Sequence, residues 1–306
     1  MDDRSSPLID PSLVMLAYRS GIFPMADRRD DPDIFWVEPK RRGILPLDRF
    51  RCSHSLARTL RRGRLRVTCN AAFSQVLAAC AAPRMAHSGD SGEEASGETW
   101  ISHRIAGTYE KLHTLGFAHS LECWQDGPDG APVLVGGLYG VGFDRVFCGE
   151  SMFSRVSEAS KVALAWLVVA LRMGGVELLD CQFITPHLAS LGAVEISQKR
   201  YLSLLRHAQR GEGYETSHRS AELLSAQQAH QLAKPQLAKP QLAKPQLVGG
   251  ASPPSASFPP GSTGGGVTTG VLALPEAFGA LEAALKSSGA SSSPGNFIAQ
   301  SLTQTS

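Results

Sequence analysis

Along residues 1–212, apolar positions recur with helical spacing in some stretches and alternate as in strands in others. Residues 11–21 read as a short helix stopped by Gly21, and two apolar patches, 22–25 and 34–37, follow on either side of a charged turn. Ser53 is placed to cap a helix running to Arg62, with Leu56 and Leu60 on one face and Gly63 to end it. Residues 64–69 alternate like a strand, and Asn70 is placed to cap a helix reaching Ala81. Residues 83–99, rich in Gly, Ser and Glu, predict a mobile surface loop. A helix over 105–115 ending at Gly116 comes next, then strands over 119–124, 133–141 and 145–148. Ser157 is placed to cap a strongly apolar, buried helix that Gly174 and Gly175 end. Residues 176–183 read as a strand, and a last helix starts near Gln198. Antiparallel strands mixed with helices predict an α+β domain.

Beyond residue 212 this patterning lapses. Gln231-Leu-Ala-Lys-Pro235 repeats at 236–240 and 241–245, and a proline in every unit excludes a long helix. Residues 249–270 have the composition of a linker. Residues 272–285 predict an isolated amphipathic helix, which reads either as a docking segment or as part of an extension without function. The whole of 213–306 is expected to be a low-complexity, largely disordered extension, and deletion of 215–306 is expected to spare activity.

Hydrophobic residues make up 42% of the chain, enough for a sizeable core. The first residues are acidic and polar, unlike a secretory leader, and the longest apolar run, 162–171, is too short to span a bilayer. Cysteines at 52, 69, 80, 123, 148 and 181 form no C-x-x-C pair and lack zinc spacing, which predicts reduced thiols in a cytoplasmic protein. The net charge of +2 conceals an asymmetry. Residues 1–38 hold eight acidic and four basic side chains, whereas residues 40–66 hold ten basic ones against Asp48 alone. Such a block fits contact with a polyanion, and it also fits a solvated arginine-rich surface.

Three polar positions lie in apolar strand context. Asp180 and Gln182 are two apart, so they project from one face of a strand. A carboxylate there can accept from the carboxamide and polarise it toward an incoming amine; two ordinary polar residues on an exposed strand face have the same spacing. Glu150 follows Gly149 at a strand end, where a carboxylate serves as a base, binds a cation or simply occupies a turn. Gly149-Glu-Ser-Met-Phe153 lacks the second glycine of a nucleophile elbow, and Cys148 has no basic neighbour to make it a thiolate. No phosphate loop of the G-x-x-x-x-G-K-[ST] kind and no H-E-x-x-H motif occurs. His119 fits a base or a hydrogen-bonded structural histidine. Residue chemistry alone reaches a polar cleft in an α+β domain beside a basic flank.

Val146-Phe-Cys-Gly-Glu-Ser-Met-Phe-Ser-Arg155 resembles the bacterial leucyl/phenylalanyl-tRNA–protein transferase family. So do Ser157-Glu-Ala-Ser-Lys161, Leu179-Asp-Cys-Gln182 and Ala189-Ser-Leu-Gly-Ala-Val-Glu-Ile196. Upstream, Leu16-Ala-Tyr-Arg-Ser-Gly-Ile-Phe-Pro-Met25, Phe35-Trp36, Thr99-Trp-Ile101 and Leu115-Gly-Phe-Ala-His-Ser-Leu-Glu122 fit the same pattern, over residues 8–210 in all. The resemblance implies a small N-terminal α/β domain, 1–62, joined to a GNAT-like acyltransferase domain, 63–212.

It further implies transfer of Leu or Phe from aminoacyl-tRNA to the α-amine of an N-terminal Arg or Lys, marking the product for N-degron proteolysis. No cofactor, metal or membrane is implied, and a monomer is expected. Asp180, Gln182 and Glu150 are then the catalytic residues, and Met152, Leu138, Leu179 and Gly149 line the donor pocket. Leu138 stands where related enzymes often carry Met. Trp36 and Trp100 would stack on the terminal adenosine. Arg61, Arg62 and Arg64 would meet tRNA phosphates. Two rival readings are an acyl-CoA N-acetyltransferase, which lacks its pyrophosphate loop here, and a non-catalytic tRNA-binding adaptor.

Overall fold

The computed structural model describes residues 7–83, 99–210, 273–287 and 294–303. The pentapeptide repeats, the linker and nearly all of the expected loop over 83–99 lie outside the described residues. Helix α1 (Pro11–Arg19) leads into a small antiparallel pair, β1 (Phe23–Met25) and β2 (Phe35–Val37). Strand β3 (Arg41–Ile44), helix α2 (His54–Arg62), strand β4 (Arg66–Cys69) and helices α3 (Phe73–Ala81) and α4 (His103–Thr114) follow. Then come β5 (Ala118–Asp126), β6 (Pro132–Phe143), β7 (Val146–Ser154), α5 (Ala159–Met173), β8 (Leu178–Gln182), α6 (Pro186–Ser190), β9 (Val194–Ser197) and α7 (Gln198–Gln209). Two C-terminal helices, α8 (Leu274–Ser287) and α9 (Pro294–Thr303), complete the fold.

Seven strands form one mixed sheet in the order β4-β5-β6-β7-β8-β3-β9. Every neighbouring pair is antiparallel except β7 and β8, which run parallel. Strand β3, part of the basic block over 40–66, lies within this sheet. Its alternation explains both charges: Arg41 is exposed and pairs with Glu195, while Arg42 points to the other face and is buried.

The sheet has an apolar layer on each face. One is built on α5, with Leu138, Phe147 and Leu179 from the strands and Leu56 and Leu60 from α2. The other gathers Tyr18, Phe73, Tyr109, Tyr139 and Tyr201 from α1, α3, α4, β6 and α7. Helix α5 is buried without interruption from Val162 to Leu171, so it needs cover on its outer side as well as from the sheet. The two C-terminal helices supply it. Leu274, Phe278, Leu281, Ile298, Ala299 and Leu302 join the α5 layer, and Trp166 meets Phe278 with ring centroids 5.7 Å apart. Arg172 at the end of α5 donates to the carbonyls of Leu47 and Ser301, at 2.8 and 3.1 Å. The helix expected to be isolated near 272–285 is therefore a packed element.

Caps agree with expectation at Ser53, which accepts from the Leu56 amide, and at Gly63, whose φ is 60°. Two others differ. Asn70 adopts φ 58° and binds Ser120 and His119, leaving the first amides before α3 to the Glu122 carboxylate, which accepts from Ala71 and Ala72. At the start of α5 the Ser154 hydroxyl, rather than Ser157, accepts from the Ser160 amide.

Candidate active site

Parallel pairing of β7 and β8 runs from Val146 opposite Leu178 to Cys148 opposite Asp180 and stops there, while both strands continue. The two strands thus part at Gly149 and Cys181. A bulge in each shapes the opening. On β7, Gly149 pairs with Gly140 and Ser151 with Tyr139, so Glu150 is an extra residue with no partner opposite. On β8, Asp180 pairs with Ile44 and Gln182 with Gly43, which leaves Cys181 extra. Bulges bend a strand and re-aim the side chains beside it. Gln182 lies in the left-handed region at φ 55°, an uncommon conformation for a residue with a side chain. Gly140 and Gly43 admit these bulges because a Cβ on either would collide with backbone, of Cys148 and Phe183 respectively.

The bulge turns Glu150 toward the tyrosine layer. Tyr109 donates to its Oε2 at 3.1 Å, and the Tyr18 and Tyr109 hydroxyls are 2.5 Å apart. Gln182 Nε2 donates to Glu150 Oε1 at 3.1 Å. The residue keeps partial exposure, but the packing around its carboxyl is dense. Burial is the main reason its pKa rises to about 8; nearby Asp180 adds to the rise, and the tyrosine hydrogen bonds and Arg42 oppose it. Burial likewise raises the Tyr18 and Tyr109 hydroxyls well above their ordinary range, so both stay protonated donors.

Asp180 has different partners from those its spacing suggests. Its Oδ1 accepts from Arg42 Nε and from the backbone amide of Gln182, both at 2.9 Å. Its Oδ2 accepts from Arg42 Nη2 at 2.6 Å and from the Tyr201 hydroxyl at 3.0 Å. The side-chain amide of Gln182 goes to Glu150, not to Asp180. Burial pulls the Arg42 pKa down, but Asp180 outweighs it and keeps the guanidinium firmly charged.

Leu138 pairs directly with Met152, and both belong with Leu179 to the apolar layer on α5. A Cβ on Gly149 would lie 3.7 Å from the Asp180 carbonyl and 4.0 Å from Leu179, ordinary contact distances, so the gap between the strands has room for a small group there. Trp36 lies on β2, and the Trp100 carbonyl accepts from Ala26, just after β1; both rings are partly buried against the tyrosine layer. Arg61, Arg62 and Arg64 are exposed at the end of α2. His119 is far from these groups in bonding terms: Nδ1 contacts the Asn70 amide, and burial lowers its pKa to about 4. Cys148 is raised by burial and by its acidic neighbours, which keeps it a thiol. Among the described residues no cluster of three His, Cys, Asp or Glu is arranged to hold a metal ion. Sequence spacing missed Arg42, Tyr18, Tyr109 and Tyr201. The one available signal, a glycine within three residues, accompanies Tyr18, Arg42 and Tyr109 and is absent at Tyr201.

Residues 44–206 match the family model described as leucyl/phenylalanyl-tRNA protein transferase, and residues 8–40 match that of its N-terminal domain. A leucyl/phenylalanyl-tRNA–protein transferase of Novosphingobium aromaticivorans is 56% identical over 302 residues, 97% of each chain. One of Rhizorhabdus wittichii is 55% identical over 197 residues, 64% of this chain and 74% of the relative. One of Rhodopseudomonas palustris is 48% identical over 209 residues, 68% of this chain and 87% of the relative. The first of these matches is long enough to take in α8.

Proposed function

Because the chain belongs to the leucyl/phenylalanyl-tRNA protein transferase family, we propose that it moves leucine or phenylalanine from aminoacyl-tRNA to the α-amine of a protein beginning with Arg or Lys. The observation that carries the reading is the pairing of Glu150 with Gln182 across the gap where β7 and β8 diverge. The same divergence supports a GNAT-like arrangement for the larger sheet, a site for two substrates meeting in line.

The donor is an ester and is already activated, so the protein's task is to align two substrates and take a proton. The α-amine nitrogen attacks the ester carbonyl, a C–N bond forms, and the bond from the acyl carbon to the ribose oxygen breaks; the nitrogen's second proton goes to that oxygen, which leaves as the free tRNA hydroxyl. Gln182 gives its N–H to Glu150, which leaves its carbonyl oxygen as the acceptor we assign to the incoming ammonium. A free α-ammonium has a pKa of about 7.7–8.0. Glu150 at about 8 is therefore matched to it, and a proton passes between the two with little free-energy change. A bound cationic acceptor favours the ionised carboxylate, and that attraction supports a preference for Arg or Lys.

Leu138, Met152, Leu179 and Gly149 form the donor side-chain pocket in this reading, with the flexible Met152 adapting to a branched or aromatic guest. Trp36 and Trp100 stack on the terminal adenosine, and Arg61, Arg62 and Arg64 hold acceptor-stem phosphates. The product is a substrate for N-degron proteolysis, which places the work in the cytoplasm. No described helix is long and apolar enough to cross a membrane. The test incubates the full chain with labelled Leu-tRNA or Phe-tRNA and a protein beginning with Arg or Lys. Label in the acceptor is expected; tRNA binding without label would overturn the reading.

A further inference from the structure

Arg42 stands in a run of basic residues, next to exposed Lys40 and Arg41, yet it is 1% exposed. Its nitrogens are engaged inside the protein: Nε and Nη2 on Asp180, and Nη1 on the Gly21 carbonyl at 2.9 Å. The guanidinium also lies over two rings, 4.8 Å from the Phe23 centroid and 4.3 Å from that of Tyr201. One side chain thus joins the turn after α1, strand β1, strand β8 and helix α7.

Asp180 in turn accepts four hydrogen bonds, two on each oxygen. A carboxylate offers about four lone-pair sites, so none is left for a substrate proton or for the Gln182 side chain. What Asp180 does hold is the Gln182 backbone amide, and that bond fixes the left-handed turn from which the Gln182 amide reaches Glu150. Resting on the transfer reading given above, we propose that Arg42, seconded by Tyr201, is a positioning residue for the reaction: it locks Asp180 as a brace, so that Gln182 meets the incoming amine in one orientation.

Lysine cannot reproduce the two-pronged contact, because it presents a point charge in place of a planar fork. Arg42→Lys keeps the charge and tests the geometry. A misplacement of about 1 Å lowers turnover by up to about a hundredfold, so a kcat loss of at least about tenfold per active site is expected. KM for aminoacyl-tRNA and the salt dependence of tRNA binding are expected to stay at wild-type values. Tyr201→Phe keeps the ring under the guanidinium and removes only the bond to Oδ2, so a smaller kcat loss with unchanged KM is expected.

Unchanged kcat in both variants would overturn the proposal. So would weaker tRNA binding with a salt slope reduced by about one, the mark of a lost phosphate contact. Should Arg42→Lys fail to fold, Tyr201→Phe decides alone by the same kcat and KM criteria. Wild-type protein run alongside separates the two claims, since absence of transfer there would strike the transfer reading and not the brace.

Discussion

Replacing Glu150 by glutamine separates a working carboxylate from a structural one. In the folded protein its pKa stands at about 8 against an ordinary 4.5, so between those values the native state holds a proton that the unfolded chain has lost. Unfolding then releases a proton, and stability falls as pH rises through the window from 4.5 to about 8. Each pH unit weighs about 1.4 kcal/mol, which sets a ceiling of about 5 kcal/mol across the window. Water reaching this partly exposed residue brings the expected figure to about 2 kcal/mol. Glu150→Gln carries no such loss. Urea denaturation of both proteins at several pH values is therefore expected to show the variant gaining on wild type from pH 4.5 to 8 and holding level beyond, even as its transfer rate drops by about two to four orders of magnitude. A pH–rate profile does not isolate this group, because the acceptor α-amine titrates near the same value. The groups facing the carboxyl, Tyr18, Tyr109, Tyr139, Cys148, Asp180 and Arg42, are shared by both proteins. A stability difference that stays constant from pH 4.5 to 8 would refute the reasoning, since Glu150 would then ionise as an exposed glutamate does.

The docked C-terminal helices make a matched pair of glycine tests. Gly279→Ala, exposed on α8 with nothing near its Cβ, should gain about 0.5–1 kcal/mol from helix propensity. Gly295→Ala on α9, whose Cβ would collide with the Leu60 carbonyl of α2, should lose about 1–3 kcal/mol. Thermal unfolding reads both, and the same sign for the two would contradict the packing of α9 on α2. Truncation at residue 270 should uncover α5, lowering Tm and promoting aggregation seen by light scattering; an unchanged Tm would return the tail to a dispensable extension. Arg61→Ala, Arg62→Ala and Arg64→Ala combined should weaken tRNA binding and flatten its salt dependence by a slope of up to about three, measured by filter binding. Gly149→Val should close the gap beside Leu179 and raise KM for Phe-tRNA more than for Leu-tRNA in the transfer assay, because the larger guest needs the space.

Local features were legible where one segment carries the cause. Ser53 and Gly63 bound α2 because a cap hydroxyl and a left-handed glycine act within a few residues. The spacing of Asp180 and Gln182 likewise put both beside the opening between β7 and β8. What each bonds to was not legible, because a bulge is a relation between strands and neither strand records it alone. The extra residue at Glu150 exists only against Tyr139 and Gly140, and the one at Cys181 only against Gly43 and Ile44. Arg42 shows the same limit most sharply. Its partner lies 138 residues away, so composition assigned it to the basic surface, whereas strand alternation beside Arg41 turned it inward. The helix near 272–285 was misjudged for a different reason. A helix apolar on every side cannot stand with one face in water, so residues 162–171 already required a second layer of cover. The amphipathic stretch near 272–285 was the matching half, and the proline repeats between them concealed the match. An apolar run too short for a membrane and an orphan amphipathic helix in one chain are better read together, as the two sides of one interface.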